Sequence, residues 1–232
     1  MDGRTVVVTG GFGALGSVVA AEAAKAGAVV VALDVAPSAP DRMAGLIGPR
    51  GFALPGVNLT DLEATSVALA EVKARTGRLD ALVNIAGGFA WQTLQDGDLG
   101  VWDQMFARNL KTAAVACKAA APHLIASGEG RIVNVGAASA VKAGAGMGAY
   151  AASKAGVAKL TESLAEELKA LGVTVNAVLP SIIDTPANRA DMPDADVSKW
   201  VTPGDLAAVI LFLASRRARA VTGALIPVTG GL

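Results

Sequence analysis

Cysteine and histidine are nearly missing from this 232-residue chain, at one each. Cys117 has no partner for an internal disulfide, and a single thiol and imidazole among scattered acids make no metal-ligand cluster. Cys117 lies in an alanine-rich helical stretch and reads as a small buried hydrophobe. His123, just after Pro122, reads as a helix residue and not a catalyst. An excess of one charge is absent too: Lys plus Arg and Asp plus Glu number 20 each, and basic residues run together only near 216–219. That balance excludes a nucleic-acid or membrane-surface footprint. The densest apolar run, 206–214, has nine residues, well short of the ~18 that a membrane span needs. Met1, Asp2, Gly3 and Arg4 lead directly into a strand, which leaves no targeting segment in view. The expectation is a cytoplasmic protein acting on a small molecule, with no nucleic-acid or membrane partner and no metal.

What is present is apolar and alternating. With 53% hydrophobic and 17% charged residues, the chain can bury a large core, and its length fits one domain over 1–232. Strands are expected at 4–9, 28–34, 52–57, 81–85, 131–135, 174–179 and 224–228. Between them lie helices near 14–26, 61–76, 102–127, 150–171 and 204–214, with a weaker one near 41–47. Strands apolar on both faces belong in a parallel sheet covered by helices on both sides. The fold class is therefore α/β, a doubly wound parallel sheet of about seven strands, the Rossmann arrangement. Ligands of such sheets sit beyond the carboxyl ends of the strands.

The motifs fall at those ends. Strand one runs into Gly10, Gly11, Phe12, Gly13, Ala14, Leu15 and Gly16 before a helix, so the backbone turns tightly where a helix N-terminus can meet a pyrophosphate. Asp34 closes strand two, 18 residues after Gly16. A carboxylate there accepts hydrogen bonds from a ribose 2′-hydroxyl and repels a 2′-phosphate. With no Lys or Arg in the turn or just after Asp34, NAD is expected over NADP. Tyr150 and Lys154 stand four apart, which on a helix stacks them on one face. A cation beside a phenol favours its ionised form, so Tyr150 is the candidate general acid/base and Lys154 its activator.

These pieces together resemble the short-chain dehydrogenase/reductase family over essentially the whole chain. The likeness rests on the turn at 9–16, on Asn84, Ala86 and Gly87 after strand four, on Asn109, on Tyr150 with Lys154, and on Pro180 through Thr185. It implies that Asn58 and Leu59 flank the adenine, and that Asn84, Ala86 and Gly87 support the sheet and the adenine ribose. By the same likeness Pro180, Ile183 and Thr185 lie along the carboxamide and phosphate region. Tyr150 would exchange the substrate proton, Lys154 would bind the nicotinamide ribose and lower the phenol pKa, and Asn109 would hold a water in a proton relay. A homodimer or homotetramer through the two long helices is also implied.

One departure bears on the substrate. The family usually carries a Ser 13 residues before the Tyr, and here that position is Ala137. The nearest hydroxyl, Ser139, could replace it only if its loop is repositioned. Within the family, Asp184, Thr185, Arg189, Met192 and Trp200 look like dihydropteridine reductases, which also lack that Ser. The segment near 184–202 would then be the substrate segment, and NADH-dependent pterin reduction becomes the specific alternative to a carbonyl, secondary alcohol or other conjugated C=N substrate. Phe89, Trp91, Met147 and Trp200 read as a flat apolar wall for a ring-bearing substrate. A catalytically silent nucleotide-binding regulator is the competing class, and it would be expected to lose Tyr150 or Lys154.

Overall fold

A computed structural model describes residues 1–231. Seven parallel strands form one sheet in the order β3-β2-β1-β4-β5-β6-β7. In chain order they are β1 Thr5–Thr9, β2 Val29–Leu33, β3 Phe52–Leu54, β4 Ala81–Asn84, β5 Arg131–Val135, β6 Thr174–Pro180 and β7 Leu225–Val228. The helices are α1 Ala14–Lys25, α2 Arg42–Ile47, α3 Leu62–Thr76, α4 Gly100–Met105, α5 Thr112–Ala126, α6 Gly148–Leu168, α7 Pro186–Asp191 and α8 Pro203–Leu213. The strand order reverses between β1 and β4, where a doubly wound sheet opens its ligand crevice.

Period-2 alternation sorts the valines into two cores. Val6, Val8, Val30 and Ala32 face one side with Leu15, Val19, Leu206 and Ile210 from α1 and α8. Val7, Val31, Leu33 and Ile132 face the other, with Leu69 and Val72 of α3, Ala116 and Cys117 of α5, and Leu168 of α6. Both faces of the central strands are sealed, which is why those strands read as unbroken apolar runs. Among the described residues no helix is long and apolar enough to cross a membrane.

Three of the boundaries that move lie near the site. β2 stops at Leu33, so Asp34 lies just past the strand. β3 stops at Leu54 rather than continuing to 57, because Pro55 lacks a ladder donor and Gly56 turns with φ of 73°. The single helix expected at 102–127 is α4 and α5 joined through a π-helical turn, Phe106–Lys111, that carries Asn109. The short helix α7 was missed. Its signal is Thr185 followed by Pro186, a capping hydroxyl that accepts from the Asn188 N–H ahead of a proline suited to the first turn.

Candidate active site

The Gly-rich turn is shaped by contacts that exclude side chains. A Cβ on Gly16 would stand 2.1 Å from the Gly10 carbonyl oxygen, and one on Gly10, whose φ is +62°, would stand 2.9 Å from Ala86 backbone atoms. Thr9 Oγ1 accepts from the Ile85 and Ala86 N–H groups at 3.1 and 3.2 Å, knitting this turn to the loop after β4. Helices α3, α7 and α8 open on Asp61, Thr185 and Thr202, each accepting a first-turn N–H, whereas α1 opens on Gly13 with no side-chain cap. Its first-turn donors are left for an anion, and exposed Gly13 and Ala14 leave the approach open. These features fit a dinucleotide pyrophosphate.

Asp34 is held firmly. Its two carboxylate oxygens accept from the Phe12 and Ala36 N–H groups, each at 3.1 Å. Arg42, a base outside the turn and outside the residues just after Asp34, opens α2 and brings Nη2 to 3.4 Å from the Phe12 carbonyl. Eight residues past Asp34, it returns through the fold and not through local sequence. Phe12 and Leu59 bury their side chains in the two cores, which leaves their backbones as what they could offer a ligand. Asn58 is exposed, with its carboxamide oxygen accepting from the N–H and hydroxyl of Thr60. Ile183 bridges to Val201, and its carbonyl accepts from Asn188 Nδ2 at 2.8 Å.

Asn84 sits inside the sheet. Its Nδ2 donates to Asn134 Oδ1 at 2.9 Å and contacts Cys117 Sγ at 3.2 Å, while Asn134 Nδ2 donates to Thr161 Oγ1 at 2.9 Å. This chain ties β4, β5, α5 and α6 together, and burial pushes the Cys117 thiol up to about 12, which leaves it inert.

The chemistry gathers on α6. Tyr150 is half-buried, with the Phe89 ring edge-on to its own at a centroid distance of 4.9 Å. Lys154, buried one turn on, donates from Nζ to the Val135 carbonyl at 2.8 Å, with Nζ 6.0 Å from the Tyr150 ring centre. Burial pulls Lys154 down to about 8 and pushes Tyr150 up to about 12. Burial is the cause of the Tyr150 shift, so in this structure the phenol lies on the opposite side of its ordinary value from the lowering expected of its lysine. Asn109 Nδ2 donates to Ser153 Oγ at 2.9 Å, and Ser153 Oγ donates to the Tyr150 carbonyl at 2.7 Å. Ser153 was missed, although its place inside the Tyr-x-x-Ser-Lys run was the available signal.

The residues expected to form an apolar wall divide by exposure. Phe89 and Trp91 are exposed at 54% and 61%, with Trp91 Nε1 donating at 3.0 Å to the carbonyl of Ala145, two residues before Met147 in the chain. Trp200 is corrected: at 5% exposure it packs inside and offers no open face. Ala137 is buried, and Ser139 lies in a short turn with its Oγ enclosed and unpartnered among the described residues.

A family model described as short chain dehydrogenase matches residues 4–196. The chain belongs to the short chain dehydrogenase family. It is 35% identical over 239 residues to cis-4-hydroxycyclohexanecarboxylate dehydrogenase of Sinomonas cyclohexanicum, covering 98% of this chain and 96% of that protein. It is 31% identical over 242 residues to acetoacetyl-CoA reductase of an Acinetobacter species, covering 99% and 97%. Its fold superimposes on carveol dehydrogenase from Mycobacterium avium, solved in complex with NAD, with a TM-score of 0.89, 28% identity, and coverage of 100% and 98%. The short chain dehydrogenase described here is accordingly an oxidoreductase that uses a nicotinamide cofactor on a small molecule.

Proposed function

We propose that this enzyme is NAD(H)-dependent and interconverts a small ring-bearing secondary alcohol, carbonyl or conjugated C=N compound with its redox partner. The observation that carries the reading is the half-buried Tyr150, one turn from buried Lys154 and edge-on to exposed Phe89, at the carboxyl edge of the sheet. The nicotinamide, when bound, supplies or accepts the hydride at the substrate carbon. In reduction, Tyr150 gives its hydroxyl proton to the substrate heteroatom, and Lys154 stabilises the phenolate left behind. In oxidation the same phenolate takes the proton back. Asn109 holds the α4 side of the site to α6 and is the candidate for seating a relay water.

Asp34 supports NAD over NADP, since its fixed carboxylate suits a ribose diol and opposes a second phosphate. Gly10, Gly13, Ala14 and Gly16 cradle the pyrophosphate, with Ala86 and Gly87 closing the ribose side. Pro180, Ile183 and Thr185 take the carboxamide end. The ring reading rests on Phe89, Trp91 and Met147, and on the relative whose name specifies a hydroxycyclohexane acid. Ser139, with its unpartnered hydroxyl, is the candidate replacement for the absent Ser, provided its turn is repositioned to open the enclosed Oγ to the site.

Ala137 favours a second reading, NADH-dependent pterin reduction, because a C=N substrate has no carbonyl oxygen for a missing hydroxyl to anchor. Offering quinonoid dihydropterin, cyclic imines, cyclic and acyclic ketones and secondary alcohols, with NADH consumption or formation as the readout, tests both. Turnover of cyclic compounds well above acyclic ones is expected, and a preference for acyclic ketones would remove the ring. Pterin reduction lapses if quinonoid dihydropterin is inert while ketones react. The enzyme is read as one domain, cytoplasmic, and a homodimer or homotetramer through the α4 to α6 face where Phe106 is exposed. Light scattering that gives a monomer would contradict the assembly.

A further inference from the structure

Arginines gather at the amino ends of the strands, the edge of the sheet opposite the candidate active site. Arg4 leads into β1, Arg131 opens β5 and Arg216 follows α8. Arg4 and Arg131 are buried, at 2% and 3% exposure. Arg131 donates from Nε to the Ser215 carbonyl at 3.1 Å and from Nη1 to the Gly130 carbonyl at 2.8 Å. Arg4 donates only through Nη2, to the Asp80 and Glu129 carbonyls at 3.0 and 2.9 Å. Its Nε and Nη1 are buried with no acceptor among the described residues. Buried charged donors of that kind cost free energy until an acceptor reaches them.

Asp80 is already paired, since its two oxygens accept from Arg78 at 2.6 and 2.7 Å and Oδ2 also accepts from the Thr5 N–H at 2.8 Å. Three guanidiniums are left to share one carboxylate. Glu129 Oε2 accepts from Arg216 Nε at 2.6 Å and stands 3.7 Å from Arg4 Nη1, too far for a hydrogen bond. Burial, with the charge of Arg216 adding to it, pulls both Arg4 and Arg131 below the usual arginine value.

We propose that this cluster is a binding site for a phosphate-class oxyanion, opened when the exposed Glu129 side chain swings away from Arg4 Nη1. With Glu129 still nearby, the cluster keeps an excess of positive charge, and a phosphate group carries close to two negative charges at neutral pH. Its oxygens would accept from the fixed Arg4 Nη1 and from the exposed Arg216 fork, while buried Arg131 adds its charge. The site lies at the far ends of the strands from Tyr150 and from the Gly-rich turn, so its occupancy is read in stability and not in turnover.

The test follows melting temperature and calorimetric heat as phosphate or glycerol 3-phosphate is added at constant ionic strength, with chloride as the control. The enzyme is studied as wild type, Arg216→Ala and Glu129→Gln. Wild type should be stabilised along a saturable curve by phosphate and not by chloride. Glu129→Gln, which removes the competing carboxylate, should tighten phosphate by about tenfold, and Arg216→Ala should weaken it by about tenfold or more. A response to phosphate alone marks the free ion as the ligand, and an equal response to glycerol 3-phosphate marks the phosphoryl group of a small molecule; either one sustains the site. No binding by the wild type overturns the proposal, and so does equal affinity in all three proteins. Phosphate seated in the Gly-rich turn instead would be displaced by NADH and indifferent to Arg216, an outcome that also overturns it.

Discussion

Asn109 holds Gly88 by both backbone groups: its Oδ1 accepts from the Gly88 N–H at 2.8 Å and its Nδ2 donates to the Gly88 carbonyl at 3.0 Å. The same Nδ2 reaches Ser153 at 2.9 Å, so one buried carboxamide joins the loop after β4 to the helix that carries Tyr150 and Lys154. The π-helical turn is what points Asn109 inward, and π-turns tend to persist where function needs the altered aim. Asn109→Ala should lower stability by about 2–4 kcal/mol, since it orphans several buried partners at once. Urea unfolding that shows no loss would mean that the clamp is not formed.

The Gly-rich turn makes two glycines unequal. A Cβ at Gly16 would meet backbone at 2.1 Å, while one at Gly13 would meet only the Gly10 oxygen, at 3.4 Å. Gly16→Ala should cost about 3 kcal/mol or more, because backbone must shift to admit it. Gly13→Ala should stay within about 1 kcal/mol in the same assay. Equal melting temperatures for the two variants would contradict this packing.

Lys154 sets a pH dependence whose sign can be worked out. Burial holds it near about 8, while the unfolded chain keeps it protonated up to ~10.4. Between those values the unfolded state binds more protons, so stability rises with pH, and below about 8 the burial penalty is fully present, at about 3 kcal/mol. Lys154→Met should therefore be no less stable than wild type at neutral pH despite losing the Val135 contact. Its advantage should shrink by about 2 kcal/mol toward pH ~9.5. Tyr150 acts in the opposite sense at higher pH: the folded phenol holds its proton to about 12 while the unfolded one ionises near ~10, so stability falls between those values. A Lys154→Met variant that melts several degrees below wild type at neutral pH would show that the lysine stabilises the fold.

Ala137 occupies the place of a family hydroxyl. Ala137→Ser should raise kcat/KM for ketones by about tenfold or more, on the scale of one added transition-state donor, and should leave cyclic imines nearly unchanged. An equal gain on both classes would disconnect this position from the substrate oxygen.

Much of this was legible in the chain because it is local. The valine runs, the Tyr150 and Lys154 spacing and the Gly10 to Gly16 turn are set by short-range periodicity and backbone sterics. What escaped depends on partners distant in sequence. Arg42 comes back to Phe12 only once α2 is docked, and Trp200 is taken inside by packing that its spacing from Phe89 does not reveal. The reversed direction of the Tyr150 shift is a matter of burial, which the four-residue spacing cannot report. The π-turn at Asn109 lies just ahead of the alanine-rich run of α5, where an inserted residue changes the aim of one side chain without disturbing the helical signal. Helix α7 is different in kind, since Thr185 and Pro186 announced it and the six-residue length hid it.

The central claim is that the Tyr150 hydroxyl moves the substrate proton. The most direct measurement is Tyr150→Phe, with NADH affinity read by fluorescence and turnover read on the best substrate of the panel. Turnover should fall by about a thousandfold or more, within the range lost with a positioned acid/base, while NADH affinity stays within about threefold. Undiminished turnover with intact NADH binding would contradict the account.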